Sequence, residues 1–94
     1  MALEMDFGNN PVNQEGNLSM RELVEYIAKA LVEDPSKVRV EEVSGPNSTI
    51  LELHVAPEDV GRIIGRNGRV INAMRTLLRV MAVRQGKRVV LEIV

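Results

Sequence analysis

Two glycines three residues apart, with an arginine and an amide between them, are the residues here whose types and spacing suggest chemistry. They sit in Ile63-Ile64-Gly65-Arg66-Asn67-Gly68-Arg69-Val70-Ile71. Gly65 and Gly68 carry no Cβ, so the backbone between them is bare enough for a ligand to approach closely. Arg66 supplies positive charge, and a helical pattern resumes at about Gly68 with its first N–H groups turned towards the loop. Free N–H groups at a helix start, beside a basic side chain, favour an anion, most simply a phosphate. The stretch reads as a clamp on a nucleic-acid backbone. A mononucleotide-binding enzyme is a second use of a glycine loop, but the Lys-Ser or Lys-Thr of a P-loop is absent: Gly68 is followed by Arg69-Val70. The pattern shows no nucleophile–base pair, no matched carboxylate pair and no metal cluster. No enzyme, cofactor or metal is therefore expected. His54 is the single histidine and reads as an ordinary surface residue rather than a ligand or base. Tyr26 likewise reads as a structural surface residue.

Charge is unevenly placed. Residues 1–60 hold four basic side chains against twelve acidic ones, whereas residues 61–94 hold eight (Arg62, Arg66, Arg69, Arg75, Arg79, Arg84, Lys87 and Arg88) against Glu92 alone. A net charge of −1 thus hides a strongly basic C-terminal part, which points to a polyanion-binding face. The bland alternative is a solvated basic face that pairs with the acidic half.

At 94 residues the chain is expected to form one small domain. One Tyr, one Phe and no Trp leave the core to aliphatic side chains. So small a core has limited stability unless self-association adds to it. The absence of cysteine rules out a disulfide scaffold. With no basic-then-apolar leader and no apolar run near membrane length, the expectation is a soluble cytoplasmic protein without membrane insertion.

Several elements must hold the loop in position. Residues 1–18 read as a tail rich in turn- and disorder-formers, with Met20 a second conceivable start; residues 19–94 form the domain. Ser19 and Glu22 make a capping box, and Leu18 and Leu23 a hydrophobic staple across it. Leu23, Val24, Ile27, Ala28 and Leu31 then recur at helical spacing, predicting a helix over about 20–33 that stops at Asp34-Pro35. Strands are predicted over Lys37 to Ser44 and Thr49 to Val55, joined by Gly45-Pro46-Asn47-Ser48. In the second, Leu51, Leu53 and Val55 alternate with Ile50, Glu52 and His54, giving one buried and one wetter face. Ala56-Pro57-Glu58-Asp59 opens a short helix that ends at Gly65. A longer helix, about 68–84, ends near Gln85-Gly86, and a last strand spans Lys87 to Val94. The long helix has a polar stripe of Arg69, Asn72, Arg75 or Thr76, and Arg79. Its apolar side (Val70, Ile71, Ala73, Met74, Leu77, Leu78, Val80, Met81) is broad enough for either deep burial or a dimer seam. The order is α-β-β-α-α-β: an α+β fold with a three-stranded mixed sheet and three helices on one face.

That order, with the quoted loop at its centre, resembles the I-I-G-x-x-G-x-x-I signature of KH domains in their type II arrangement. Met20 to Val94 is more closely similar to the KhpA family of small bacterial proteins. The likeness includes Glu22-Leu23-Val24, Ile27-Ala28-Lys29-Ala30-Leu31-Val32, Val55-Ala56-Pro57-Glu58-Asp59 and Lys87-Arg88-Val89. The resemblance implies single-stranded RNA binding: KH domains clamp about four nucleotides, the loop on the backbone and an apolar groove under the bases. On that pattern Gly65, Arg66, Asn67 and Gly68 contact phosphates. Ile64, Ile71 and Ile63 lie by the groove or else in the core, and Arg62, Arg69 and Arg75 extend the basic track. Scarce aromatics fit, since this mode needs no stacking platform. The resemblance also implies a homodimer, or a heterodimer with a larger KH-containing protein of the KhpB (Jag) type, in post-transcriptional regulation tied to cell division and cell shape. The competing reading is a KH-like assembly module that no longer binds RNA. Against it stand the intact glycines and Arg66, since an acidic loop residue is what lost binding should leave.

Overall fold

Ser19 opens the first helix as a capping box requires. In the computed structural model, which describes residues 19–94, its hydroxyl accepts from the Glu22 N–H at 3.0 Å and the Glu22 carboxylate accepts from the Ser19 N–H at 3.3 Å. The tail over residues 1–18, and with it Leu18 of the staple, lies outside the described residues. Helix α1 spans Met20–Leu31 and buries Met20, Val24 and Ala28, one turn apart. It stops two residues before its predicted end. Val32 is extended (φ −84°, ψ 159°), and the N–H groups of Glu33 and Asp34 donate to the Asp59 carboxylate at 3.0 and 3.2 Å. Pro35–Lys37 then form a 3-10 turn whose first N–H groups are capped by Asp34. That turn delays the first strand.

Strand β1 (Arg39–Ser44) runs antiparallel to β2 (Ser48–His54), with Val40 opposite Leu53. Strand β3 (Arg88–Ile93) lies parallel to β2, with Leu51 opposite Leu91. The order β1-β2-β3 leaves β1 and β3 as edges. A parallel pair needs a crossover, supplied by α2 (Val60–Ile64) and α3 (Arg69–Arg84). Val40, Leu51, Leu53 and Leu91 from one sheet face join Val24, Ala28, Ile63, Ile71, Met74, Leu78 and Ala82 in a single aliphatic core. The helices therefore cover that face, as the α-β-β-α-α-β reading expected. On the opposite face, the register sets Glu41 opposite Glu52 and Glu52 opposite Glu92.

Each sheet edge is touched by an arginine from the helical layer. Arg21 Nε donates to the Val40 carbonyl at 3.2 Å, and Arg75 Nη2 to the Leu91 carbonyl at 3.2 Å. Helix α3 ends on Gly86 (φ +68°); the Lys87 N–H donates to Ala82 O at 2.9 Å and the Gly86 N–H to Val83 O at 3.1 Å. This closure satisfies the last carbonyls and turns the chain into β3. The broad apolar side of α3 divides: Ile71, Met74 and Leu78 are buried, while Leu77 and Val80 stay 49% and 54% exposed. Among the described residues no helix is long and apolar enough to cross a membrane.

Candidate nucleic-acid interface

Helix α2 ends as the Gly65 N–H reaches Gly61 O at 2.9 Å, and Gly65 takes φ 76°, ψ 172°. Arg66–Gly68 make one 3-10 turn in which Asn67 (φ 57°, ψ 25°) and Gly68 (φ 75°, ψ 15°) are left-handed. Asparagine tolerates that region better than most residues. The two glycines are needed for different reasons. A Cβ on Gly65 would lie 2.5 Å from Val70 Cγ2 and 2.9 Å from Val70 N, because the loop packs directly on the first turn of α3. A Cβ on Gly68 would meet nothing closer than Asn72 Nδ2 at 3.4 Å, so there the backbone angle alone favours glycine.

Helix α3 starts at Arg69, one residue later than expected, with Gly68 as its cap position and no side-chain cap. Two N–H groups expected to face a ligand are taken within the loop: Gly68 N–H donates to Gly65 O at 3.2 Å and Arg69 N–H to Arg66 O. An anion is left with the exposed Arg66 and Asn67 side chains and the uncapped positive end of a 16-residue helix.

Farther along α3, a trough lies between that helix and edge strand β3. Arg75, Leu78 and Arg79 line one wall, and Val89, Val90, Leu91 and Glu92 the other. Arg75 lies about 9 Å along the helix from Arg69 at 1.5 Å per residue. The N–H groups of Arg88 and Val94 point inward, to Asn47 O and Leu53 O at 3.0 Å each. Strand alternation therefore turns the backbone groups of Val89, Leu91 and Ile93 outward, consistent with Arg75 reaching the Leu91 carbonyl. The trough combines an apolar floor, a rail of backbone donors and acceptors, and guanidinium groups opposite. A flat base with polar edges and a charged backbone suits those three features.

The predicted site residues do not all gather here. Gly65, Arg66, Asn67, Gly68 and Arg69 form the loop and the entry to α3. Ile64 is 39% exposed beside them, whereas Ile71 is only 5% exposed and, with Ile63, belongs to the core. Arg62 has a different task. Its guanidinium pairs with Glu33 at 2.7 Å and with buried Asp59 at 3.4 Å, bridging α2 to the exit of α1. Arg75 is in the trough, tied to β3. Arg79 and the β3 edge were missed as site elements; the one available signal was the four-residue step from Arg75 to Arg79 along a helix.

The ion pairs also bear on the charge asymmetry. Arg21, Lys29 and Arg39 pair within the acidic part of the chain, and of the eight C-terminal cations only Arg62 reaches a carboxylate among the described residues. Among the described residues, then, the acidic half leaves all of these cations but Arg62 unpaired. Among the described residues no group of three or more His, Cys, Asp or Glu could hold a metal, and His54 lies 3.9 Å from Glu41 alone.

A family model described as KhpA/KhpB, KH domain, matches residues 21–93. The RNA-binding protein KhpA of Clostridium acetobutylicum is 53% identical over 75 residues, covering 80% of this chain and 100% of that protein. The RNA-binding protein KhpA of Clostridium perfringens is 52% identical with the same coverage. That of Aquifex aeolicus is 44% identical over 80% of this chain and 95% of its own. A solved structure of Era in complex with MgGDPNP and nucleotides of 16S ribosomal RNA is more distant: 20% identity and a TM-score of 0.47 over 79% of this chain and 28% of that one.

Proposed function

The chain belongs to the KhpA/KhpB KH-domain family, and from that premise we propose that it binds single-stranded RNA. In this reading the Gly65–Gly68 loop holds the phosphate backbone and the α3/β3 trough receives the bases. The observation that carries the proposal is the uncapped start of α3 beside exposed Arg66 and Asn67, with a trough farther along the same helix whose cations lack carboxylate partners among the described residues. The relatives bearing the name RNA-binding protein KhpA support it from outside the structure. Gly65, Arg66, Asn67 and Gly68 are assigned to the phosphates, Arg69, Arg75 and Arg79 to the track, and Ile64 to its rim. Arg62 and Ile71 are left to the scaffold.

We read the protein as acting as a dimer, with itself or with a larger KH-containing partner of the KhpB (Jag) type, in post-transcriptional regulation. The exposed Leu77 and Val80 support an assembly seam. At about 100° per residue, Leu77 sits about 160° and Val80 about 100° around the helix from Arg79, so a partner centred on Leu77 leaves the trough open. The link to cell division and cell shape rests on family resemblance alone.

The test is to change Arg66 and Asn67 together to Asp, which sets two negative charges where phosphates would approach. A labelled random single-stranded RNA is titrated at two salt concentrations, with circular dichroism and sizing on both proteins. Salt-sensitive binding by the wild type and none by the folded variant supports the clamp. Equal binding by both refutes it. Dimers that bind no RNA favour the assembly module instead.

A further inference from the structure

Beyond the stretch assigned to the bases, the trough continues into a second pocket walled by Arg79, Ala82, Val83, Lys87, Arg88 and Val89. Arg79 and Val89 line both pockets, so the two adjoin. We propose that this far end is a second phosphate-binding site, which grips the RNA strand after it leaves the loop-proximal stretch. The inference rests on the RNA-binding reading above.

Three observations carry it. The first is placement. Val83 lies about 21 Å along the helix from Arg69, so a strand anchored at the loop reaches this end only when long enough, and its backbone must then pass between the cations of α3 and β3. The second is construction. Two of the cations project from constrained backbone: the Lys87 N–H closes the end of α3 on Ala82 O at 2.9 Å, and the Arg88 N–H ties β3 to Asn47 O at 3.0 Å. Lys87 is itself only half-exposed. These backbone bonds fix where each side chain starts, and so the region its charge can reach. The third is composition. Val83, 72% exposed, sits between these charges, and apolar surface flanked by cations suits a nucleotide better than a free inorganic anion.

Complementing the helix dipole explains Arg84 and Lys87 at the end of α3. It does not explain Arg88, already in the strand, or Arg79, more than a turn inside the helix. Arg79, Arg84, Lys87 and Arg88 pair with no carboxylate among the described residues.

The experiment is a length series. Oligouridylates of about four, eight and twelve nucleotides, the shortest matching what a KH loop clamps, are titrated against wild type, Lys87→Ala/Arg88→Ala and Arg66→Asp/Asn67→Asp. Wild type is expected to bind the eight-mer at least about fivefold more tightly than the four-mer, with a steeper salt dependence. Lys87→Ala/Arg88→Ala is expected to keep four-mer affinity within about twofold, lose the gain with length, and lower the long-RNA salt slope by about 1.4, or about 0.7 per cation. Should that variant lose structure by circular dichroism, Arg88→Gln alone is titrated instead, with a long-RNA slope about 0.7 lower and unchanged four-mer binding expected. A variant that keeps the full gain overturns the second site and leaves the patch to an acidic protein partner. A wild type that binds the four-mer without gaining from length overturns this inference alone. A wild type that binds no RNA of any length overturns the loop assignment and this site together.

Discussion

Replacing Gly65 by alanine separates packing from conformation at the loop. Gly65 has φ 76° and ψ 172°, in a region populated almost only by glycine, where another residue costs on the order of 1–3 kcal/mol. The added methyl also falls 2.5 Å from Val70 Cγ2 and 2.9 Å from the Val70 backbone nitrogen. Rotating Val70 relieves the first contact but not the second, because the nitrogen belongs to the first turn of α3. Overpacking of this kind adds about 1–3 kcal/mol, for a total of roughly 2–6 kcal/mol. A 94-residue chain has about 5–14 kcal/mol of total stability at common per-residue values. Each kcal/mol moves Tm by about 4–8 °C at this size, so a fall of at least about 8 °C is expected. Gly68→Ala is the internal control: its angle is also left-handed, but its nearest neighbour is 3.4 Å away, and about 1–2 kcal/mol is expected. Urea and thermal denaturation followed by circular dichroism measure both. If the two variants are equal within about 0.5 kcal/mol, or Gly68→Ala is the worse, the loop does not pack on Val70 as described. Val70→Ala in the Gly65→Ala background should restore only part of the loss, since the nitrogen contact stays.

Other consequences can be checked in the same assays. Asp59→Asn replaces one of the two oxygens that accept from Glu33, Asp34 and Arg62 with a donor, and should lower stability by about 1–3 kcal/mol in urea denaturation; an unchanged midpoint would mean the buried carboxylate is not holding the exit of α1. Arg62→Ala should leave RNA affinity within about twofold while Arg69→Ala weakens it, because one exposed phosphate contact is worth about 0.7 in salt slope; a large loss for Arg62 would return it to the track. Leu77→Asp/Val80→Asp should shift sizing from dimer to monomer with the circular dichroism of a folded chain retained, whereas unaltered sizing would place any dimer seam elsewhere. At Asn67 (φ 57°), glycine should be tolerated and valine should cost on the order of 1–2 kcal/mol; a stable valine variant would contradict the left-handed loop.

Local signals were the legible ones. Ser19 and Glu22 lie three residues apart, and their capping box forms as the pattern expects. Alternation in β2 marked Leu51 and Leu53 for burial, both now at 0% exposure. What local pattern could not carry was pairing across the chain. Asp59 looked like no more than part of the opening of a short helix. Its carboxylate instead accepts from residues 25 and 26 positions earlier, and that contact shortens α1. Arg62 looked like another cation on a basic track, until Glu33, 29 residues away, claimed it. Ile71 sat beside the glycine loop in sequence, yet its place on α3 turns it into the core. The trough escaped notice because half of it is strand backbone, which no side-chain motif announces.

A sheet that keeps one margin open for a ligand is also a template on which a stray β-segment can grow. Here the margins of β1 and β3 are both short, and each has a carbonyl occupied by an arginine from the overlying helices, Arg21 at Val40 and Arg75 at Leu91. On β1 the contact caps an edge carbonyl that a stray strand would otherwise meet. On β3 it does more, because the same carbonyl lies on the rail where a base would be read. A ligand seeking that position must displace Arg75, and the freed guanidinium is then at hand for a phosphate. On the proposed reading, Arg75 would thus guard the trough with its own side chain, blocking a stray strand and yielding to an RNA that offers the arginine a better partner.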